Sequence, residues 1–149
     1  MKSLGHHTLI EFTGCDPGRI DSARRVRRHL LEAAVRARGT VVKAVFHTFS
    51  PWGVSGVVVI SESHLTVHTW PEHGYAAVDV FSCGRRLRHA VVRDYLREAF
   101  GATGVESRRI ERGRGLVKRL KAKPNILVRP GGRASKARAP RQPSAKVTP

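Results

Sequence analysis

The residues best suited to chemistry lie in one short stretch, from Ser61 to Glu72. Two serines, two histidines and two carboxylates occur within these twelve residues. Ser63 follows Glu62 at a predicted turn, where a serine hydroxyl can attack the carbonyl of the preceding residue if the peptide is strained. Attack would give an ester, and a base that removed the α-proton of Ser63 would then split the chain at this point.

The nearest candidate base in the following strand is His68, since the pKa of histidine lies near neutral pH. In an unbroken strand, residues an odd number apart face opposite sides. Ser63 and His68 can therefore converge only if a turn intervenes, which we expect a hairpin to supply. From spacing alone the signal is weak, because a serine in a turn is more often only a turn residue.

A β-hairpin is the element that must position these groups. The apolar run from Val57 to Ile60 leads into the stretch, and Leu65 to Thr69 alternates as a strand does. We therefore predict paired strands over 56–60 and 65–70, with polar residues at the tip and along one face.

The remaining pattern predicts two helices and further strands. Asp16 as N-cap and Pro17 at the first helical position begin a helix that Gly39 ends. The second helix runs from Leu87 to Phe100, and the other strands cover 8–12, 40–49, 75–81 and 105–111. This β-α-β-β-β-β-α-β order predicts an α+β fold, a two-layer sandwich with a largely antiparallel sheet and helices on one face.

Charge divides the 149-residue chain in two. From Arg112 to Pro149 there are 12 Lys and Arg and no acidic residue, whereas residues 1–111 have a net charge of only +5. The basic tail is predicted to be largely disordered. It suits non-specific contact with RNA or another polyanion, although it has no aromatic residue for base stacking. A non-catalytic polyanion-binding protein is thus an alternative, but it does not explain the stretch around Ser63.

Other classes of protein are disfavoured by composition. No apolar run is long enough to cross a membrane and the N-terminus does not resemble a signal peptide, so a cytoplasmic location is expected. Cys15 and Cys83 are read as free thiols. His64 and His68 would lie roughly 13 Å apart on a strand, too far for one ion, so no metal site is predicted.

A longer motif contains this stretch. It runs from Phe49 through Ser55 and the Ser61–Glu72 segment, and continues from Gly74 to Gly84. It closely resembles the prokaryotic S-adenosylmethionine decarboxylase proenzymes. The opening residues 2–5 and the segment 111–114 fit too, so the resemblance covers about residues 1–115 and leaves 116–149 as the tail.

The resemblance implies self-cleavage between Glu62 and Ser63. Ser63 becomes a pyruvoyl group, which forms a Schiff base with the substrate amine and acts as electron sink for loss of CO₂, in place of pyridoxal phosphate and without a metal. By the same resemblance, His68 is the processing base, Ser55 assists processing and Cys83 is the proton donor. The implied substrate-binding residues are Phe49, which stacks on adenine, Glu72, which binds the ribose hydroxyls, and Trp70.

The implied reaction converts S-adenosylmethionine to its decarboxylated form, the aminopropyl donor for spermidine synthesis. A homodimer of processed αβ units, with active sites near the subunit interface, is implied as well. Ser63, His68 and Cys83 would serve pyruvoyl chemistry on any amino acid, so a relative acting on arginine or ornithine is the alternative.

Overall fold

Every strand predicted from the apolar alternation is present in the computed structural model, which describes residues 3–61 and 63–116. The strands alternate buried and more exposed positions, as in a sheet with one covered face. The elements in chain order are β1 (Gly5–Thr13), α1 (Pro17–Ile20), α2 (Ala23–Arg36), β2 (Val41–Thr48), β3 (Val54–Ile60), β4 (Ser63–Trp70), a 3₁₀ helix (Pro71–His73), β5 (Tyr75–Ser82), α3 (His89–Phe100) and β6 (Gly104–Arg112).

The six strands form one sheet in the order β2-β3-β4-β5-β1-β6. Every neighbouring pair is antiparallel. The helices pack on one face, α2 against β2, β3 and β4, and α3 against α2 and β1. The predicted α+β two-layer sandwich is therefore confirmed.

The core lies between the sheet and the helices. From α2 the buried residues are Val26, Leu30, Ala33 and Ala34, and from α3 they are Val92, Leu96 and Phe100. Phe100 meets Phe12 of β1 edge to face, with the ring centroids 5.7 Å apart. Burial of each large apolar side chain contributes about 1.5–3 kcal/mol to stability, so apolar packing is what holds the helices on this face of the sheet.

The predicted single helix from Pro17 to Gly39 is wrong in one respect, because it is two helices. The N-cap at Asp16 is confirmed, since its carboxylate accepts a hydrogen bond from the backbone N–H two residues later (2.9 Å). The backbone is then extended at Ser22 (φ −113°, ψ 116°), which begins α2. Arg38, and not Gly39, adopts the left-handed conformation (φ 69°) that closes α2.

The other face of the sheet carries no helix among the described residues. Alternation places on it Ser55 of β3, His68 of β4 and Asp79 of β5, and we call it the open face. Several large apolar side chains of this face are exposed: Val45, Val59, Trp70 and Ile110. The predicted tail, 116–149, lies almost wholly outside the described residues.

Candidate active site

The β3–β4 hairpin positions the predicted cleavage site. Ile60 pairs with Ser63, so the turn consists of residues 61 and 62 alone. Ser61 is anchored by its backbone N–H, which donates to the carbonyl of Thr40 (2.9 Å). Glu62, the predicted cleavage residue, lies outside the described residues. Ser63 is the first residue of β4, half-buried, and its hydroxyl therefore lies next to the turn.

At this end of the hairpin the sheet brings Ser63 close to Cys83. Ser63 pairs across the sheet with Ser82 at the end of β5, and Cys83 is the next residue. Cys83 is exposed, whereas the other thiol, Cys15, is buried. We call Ser63 and Cys83 the serine–cysteine cluster. It combines a hydroxyl at a tight turn with an accessible sulfur one residue from the paired position.

A histidine that sequence reasoning did not select supports this cluster. His89 Nε2 lies 2.8 Å from Ser82 Oγ, and His89 Nδ1 lies 2.8 Å from Thr8 Oγ1. Ser82 Oγ also donates to the carbonyl of Gly84 (3.1 Å). The Ser82 hydroxyl thus links the residues on either side of Cys83, and His89 fixes the position of that hydroxyl.

His89 is neutral at physiological pH. Burial, with the positive charge of Arg109 and two other histidines nearby, lowers the pKa of His89 to about 4. A neutral imidazole has one donor and one acceptor, which matches the two hydroxyls it contacts. The only sequence signal for this residue was its place at the start of a helix after the Cys83 segment.

The opposite end of the same hairpin holds the other predicted processing residues. Ser55 of β3 pairs directly with His68 of β4, and Ser55 Oγ lies 2.5 Å from His68 Nδ1. Both side chains lie on the open face. We call this pair the serine–histidine cluster.

The expected convergence of Ser63 and His68 within one chain is wrong. The turn comes before Ser63, and β4 is unbroken from Ser63 to Trp70. Five residues of strand separate the two by about 16 Å. Ser63 shares its face with the buried Leu65, whereas His68 lies on the open face. The histidine near Ser63 in its own chain is His64, whose Nδ1 lies 3.3 Å from Ser63 Oγ.

The predicted substrate-binding residues all lie near the serine–histidine cluster. Trp70 follows two residues after His68, with ring centroids 6.2 Å apart, and also contacts Tyr75. Phe49 follows β2 and packs edge to face on His47, at 4.8 Å between centroids. Glu72 lies in the 3₁₀ helix and is exposed. Phe49 is 50% exposed and Trp70 is 39% exposed, so both rings have a surface that is open to solvent.

Neither a metal site nor a membrane span is found in the described part of the chain. Residues 3–61 and 63–116 contain no group of three or more His, Cys, Asp or Glu arranged to hold an ion. No helix in the same ranges has the length and apolar character to cross a bilayer.

Comparison with known proteins gives consistent matches. The family model described as S-adenosylmethionine decarboxylase matches residues 6–113. A protein of Acidithiobacillus ferrooxidans named S-adenosylmethionine decarboxylase proenzyme is 50% identical over 113 residues, which are 76% of this chain and 85% of that protein. A protein of Halalkalibacterium halodurans named S-adenosylmethionine decarboxylase proenzyme 2 is 41% identical over 127 residues, 85% of this chain and all of its own length.

A solved structure is similar as well. The crystal structure of the adenosylmethionine decarboxylase from Aquifex aeolicus superposes with a TM-score of 0.71 at 35% sequence identity. The match covers 76% of this chain and 93% of that one. The matched family region ends near the last strand, so the basic tail lies beyond it.

Proposed function

The chain belongs to the S-adenosylmethionine decarboxylase family, and from this membership we propose that it is a self-processing, pyruvoyl-dependent enzyme that decarboxylates S-adenosylmethionine. Its product is the aminopropyl donor for spermidine synthesis. The observation that supports the proposal most strongly is the serine–cysteine cluster. Ser63 begins β4 directly after the two-residue turn, and Cys83 leaves the neighbouring strand one residue beyond Ser63's partner.

Self-cleavage is the first reaction in this proposal. The Ser63 hydroxyl attacks the carbonyl carbon of Glu62, and the peptide nitrogen leaves, which turns the peptide into an ester. Removal of the Ser63 α-proton then breaks the ester and expels the main-chain carboxylate of Glu62, which becomes the new C-terminus. Loss of the Ser63 nitrogen as ammonia, with addition of water, leaves a pyruvoyl group at the new N-terminus.

The residues present fit this group. A serine at a tight turn is its source, and the adjacent thiol is exposed to an incoming substrate. The pyruvoyl ketone supplies an electrophile for the substrate amine and accepts the electrons released with CO₂. Cys83 Sγ delivers a proton to the substrate carbon that has lost its carboxylate. His89 and Ser82 hold the backbone on both sides of that thiol.

The serine–histidine cluster supplies the processing base. His68 Nδ1 contacts the Ser55 hydroxyl, which leaves Nε2 of the same ring to take a proton. Within one chain this ring is about 16 Å from Ser63 along β4. The proposal therefore requires His68 to act on the Ser63 of another subunit.

A homodimer built through the open face meets this requirement. That face carries exposed apolar side chains, including Val45, Val59 and Ile110, and no described helix covers it. A two-fold axis that lies in the interface and crosses the strands reverses strand direction. With the axis midway along the β3–β4 hairpin, each subunit's serine–histidine cluster would lie opposite the turn end of its partner's hairpin. Ser63 is the first residue of β4, and its Oγ lies 3.3 Å from Nδ1 of His64, a residue of the open face.

Substrate selection is assigned to the aromatic residues and to Glu72. The free faces of Phe49 and Trp70 suit stacking on adenine, and Glu72 is free to accept hydrogen bonds from ribose hydroxyls. All three lie at the same end of the hairpin as His68. In the dimer they therefore approach the partner's Ser63 together with the base.

The test begins with the intact mass of the purified protein. We expect two chains that divide between residues 62 and 63, the larger carrying a pyruvoyl end. CO₂ release is then compared for S-adenosylmethionine, arginine and ornithine, and we expect turnover of the first alone. Turnover of arginine or ornithine instead would keep the cofactor chemistry and reject the substrate. A single uncleaved chain that binds RNA would favour the polyanion-binding alternative.

A further inference from the structure

A large groove lies on the helix side of the molecule, where α3 begins. Its volume is about 760 Å³, and the ends of β1, β5 and β6 form its other walls. The side chains on its walls are mainly basic or hydroxyl-bearing: Arg85, Arg88, Arg109, His6, His89 and Ser82. We call it the α3 groove. It is separate from the open face, which carries His68 and the proposed adenosine-binding residues.

Positive charge in the α3 groove is not balanced by neighbouring carboxylates. None of Arg85, Arg88 and Arg109 forms an ion pair with an acidic residue in 3–61 or 63–116. The one carboxylate on its walls, Glu111, is bound by Arg114, with Nε 3.0 Å from Oε2. Three guanidinium groups therefore line the groove, each with five N–H donors that no described carboxylate occupies.

The beginning of α3 adds to this potential. The first turn of the helix has no acidic residue, and Arg88 at the N-cap position makes no side-chain cap. The positive end of the helix dipole is therefore left uncompensated next to the arginines. Arg109 is also close enough to His89 for its charge, after burial, to lower the pKa of that imidazole.

The shape and lining of the groove indicate the chemical class of the occupant. A volume of several hundred Å³ exceeds that of one phosphate and suits a small metabolite. The lining contains no Phe, Tyr or Trp side chain, so it lacks the large rings on which nucleic-acid bases usually stack. A second cavity of about 210 Å³ continues along α3, shares His89 and Arg109, and adds Ser107 and Arg93, whose Nε is paired with Asp94 (2.7 Å). Donors are thus spread over a length that more than one phosphate can span.

We propose that the α3 groove binds a small anion with two or more phosphate groups, held by Arg85, Arg88 and Arg109. The ligand is either inorganic, as in pyrophosphate, or a metabolite that carries a diphosphate. Since Ser82 lines the groove and precedes Cys83, the bound anion lies next to the segment that carries the proposed proton donor. The anion is an effector in this position and not a reactant.

The test is calorimetric titration of the full-length processed protein with pyrophosphate at 0.15 M salt. The test variant is R85Q/R88Q/R109Q. The matched control is R24Q/R25Q/R28Q, which removes the same charge from exposed arginines that line a separate cavity of about 460 Å³ on α2. We expect one saturable site, weakened about tenfold or more in the test variant and less than about threefold in the control. Circular dichroism checks that both variants are folded.

The proposal is overturned if the two variants lose affinity equally, since general electrostatics or the basic tail would then account for binding. It is also overturned if the wild-type protein shows no saturable site. Titration with ADP separates the two sources: equal affinity for ADP and pyrophosphate indicates recognition of the diphosphate alone, and tighter ADP binding indicates a metabolite. Repeating the titration on the uncleaved S63A chain makes the result independent of decarboxylase activity.

Discussion

The two ends of the β3–β4 hairpin carry the residues of two different parts of the proposed chemistry. The turn end has the hydroxyl and thiol of Ser63 and Cys83, and the other end has Ser55 in contact with His68. Ser63 and His68 belong to the same strand, yet about 16 Å separates them and they face opposite sides of the sheet. Within a single chain, therefore, Ser63 and the proposed base His68 are too far apart to react.

The largest effect is expected from the turn end itself. We predict that Ser63→Ala abolishes chain cleavage, because the attacking hydroxyl is gone. The measurement is intact mass, which should show one chain. The matched control is Ser61→Ala, which removes the other hydroxyl beside Glu62 and should leave two chains; cleavage that persists in the Ser63 variant would place the break elsewhere.

The second prediction compares two histidines on β4. Replacement of His68 by alanine should slow cleavage by about 10²–10⁴-fold, the usual contribution of a positioned base. The same change at His64, which contacts Ser63 in its own chain, should have a smaller effect. Time courses of cleavage after synthesis measure both. The reverse ranking would make His64 the base and remove the need for a partner subunit.

The third prediction separates the two thiols. Cys83→Ala should leave cleavage intact and lower CO₂ release by about a hundredfold or more, since a proton donor is lost. Cys15→Ala should retain activity, because Cys15 is buried in the core. Burial also raises the pKa of Cys15 to about 11, so iodoacetamide at neutral pH should label Cys83 alone in the native protein. Labelling of Cys15 in the native protein would contradict the described core.

The smallest expected effect concerns the support of the turn end by His89. Its folded-state pKa of about 4 lies below the ordinary value of 6.5. Between these values the unfolded chain takes up a proton that the folded chain does not, so the free energy of unfolding falls as the pH is lowered from 6.5 to 4. We expect about 1–2 kcal/mol from this group, less than the full shift because the ring is partly exposed.

Urea denaturation at pH 7 and pH 4.5 measures this contribution. In the His89→Gln variant an amide that cannot titrate replaces the imidazole. The free energy of unfolding of this variant should fall less over the same pH interval. An equal fall in the wild-type and variant proteins would show that other groups cause the pH dependence.

Much of the fold and part of the site could be predicted from sequence. The alternation around Leu65 and the apolar run to Ile60 defined the hairpin, and the caps at Asp16 and Pro17 defined the first helix. The break at Ser22 was missed because the apolar spacing continues across it. The position of Ser63 beside Cys83 depends on the pairing of β4 with β5, which a linear pattern does not contain.

The remaining features depend on contacts between residues that are far apart in the sequence. Sequence periodicity could not show that the turn ends before Ser63, because the alternation from Leu65 to Thr69 is the same whether β4 begins at Ser63 or at Leu65. His89 gave little signal, because its importance arises from contacts with Thr8 and Ser82, far apart in sequence. The open face could not be predicted, because it depends on both large helices packing on the opposite side of the sheet.

Co-expression of two defective chains tests the sharing of sites between subunits most directly. The S63A chain has His68 but lacks the attacking hydroxyl, and the H68A chain has Ser63 but lacks the proposed base. We predict that H68A, which cleaves only slowly alone, is cleaved promptly in up to about half of its copies when co-expressed with S63A, the share paired with S63A if subunits mix at random. Intact mass shows this as a 63–149 fragment bearing the His68 substitution. If H68A stays uncut beside S63A in isolated heterodimers, the two ends of the hairpin do not meet across subunits and the account of the site is wrong.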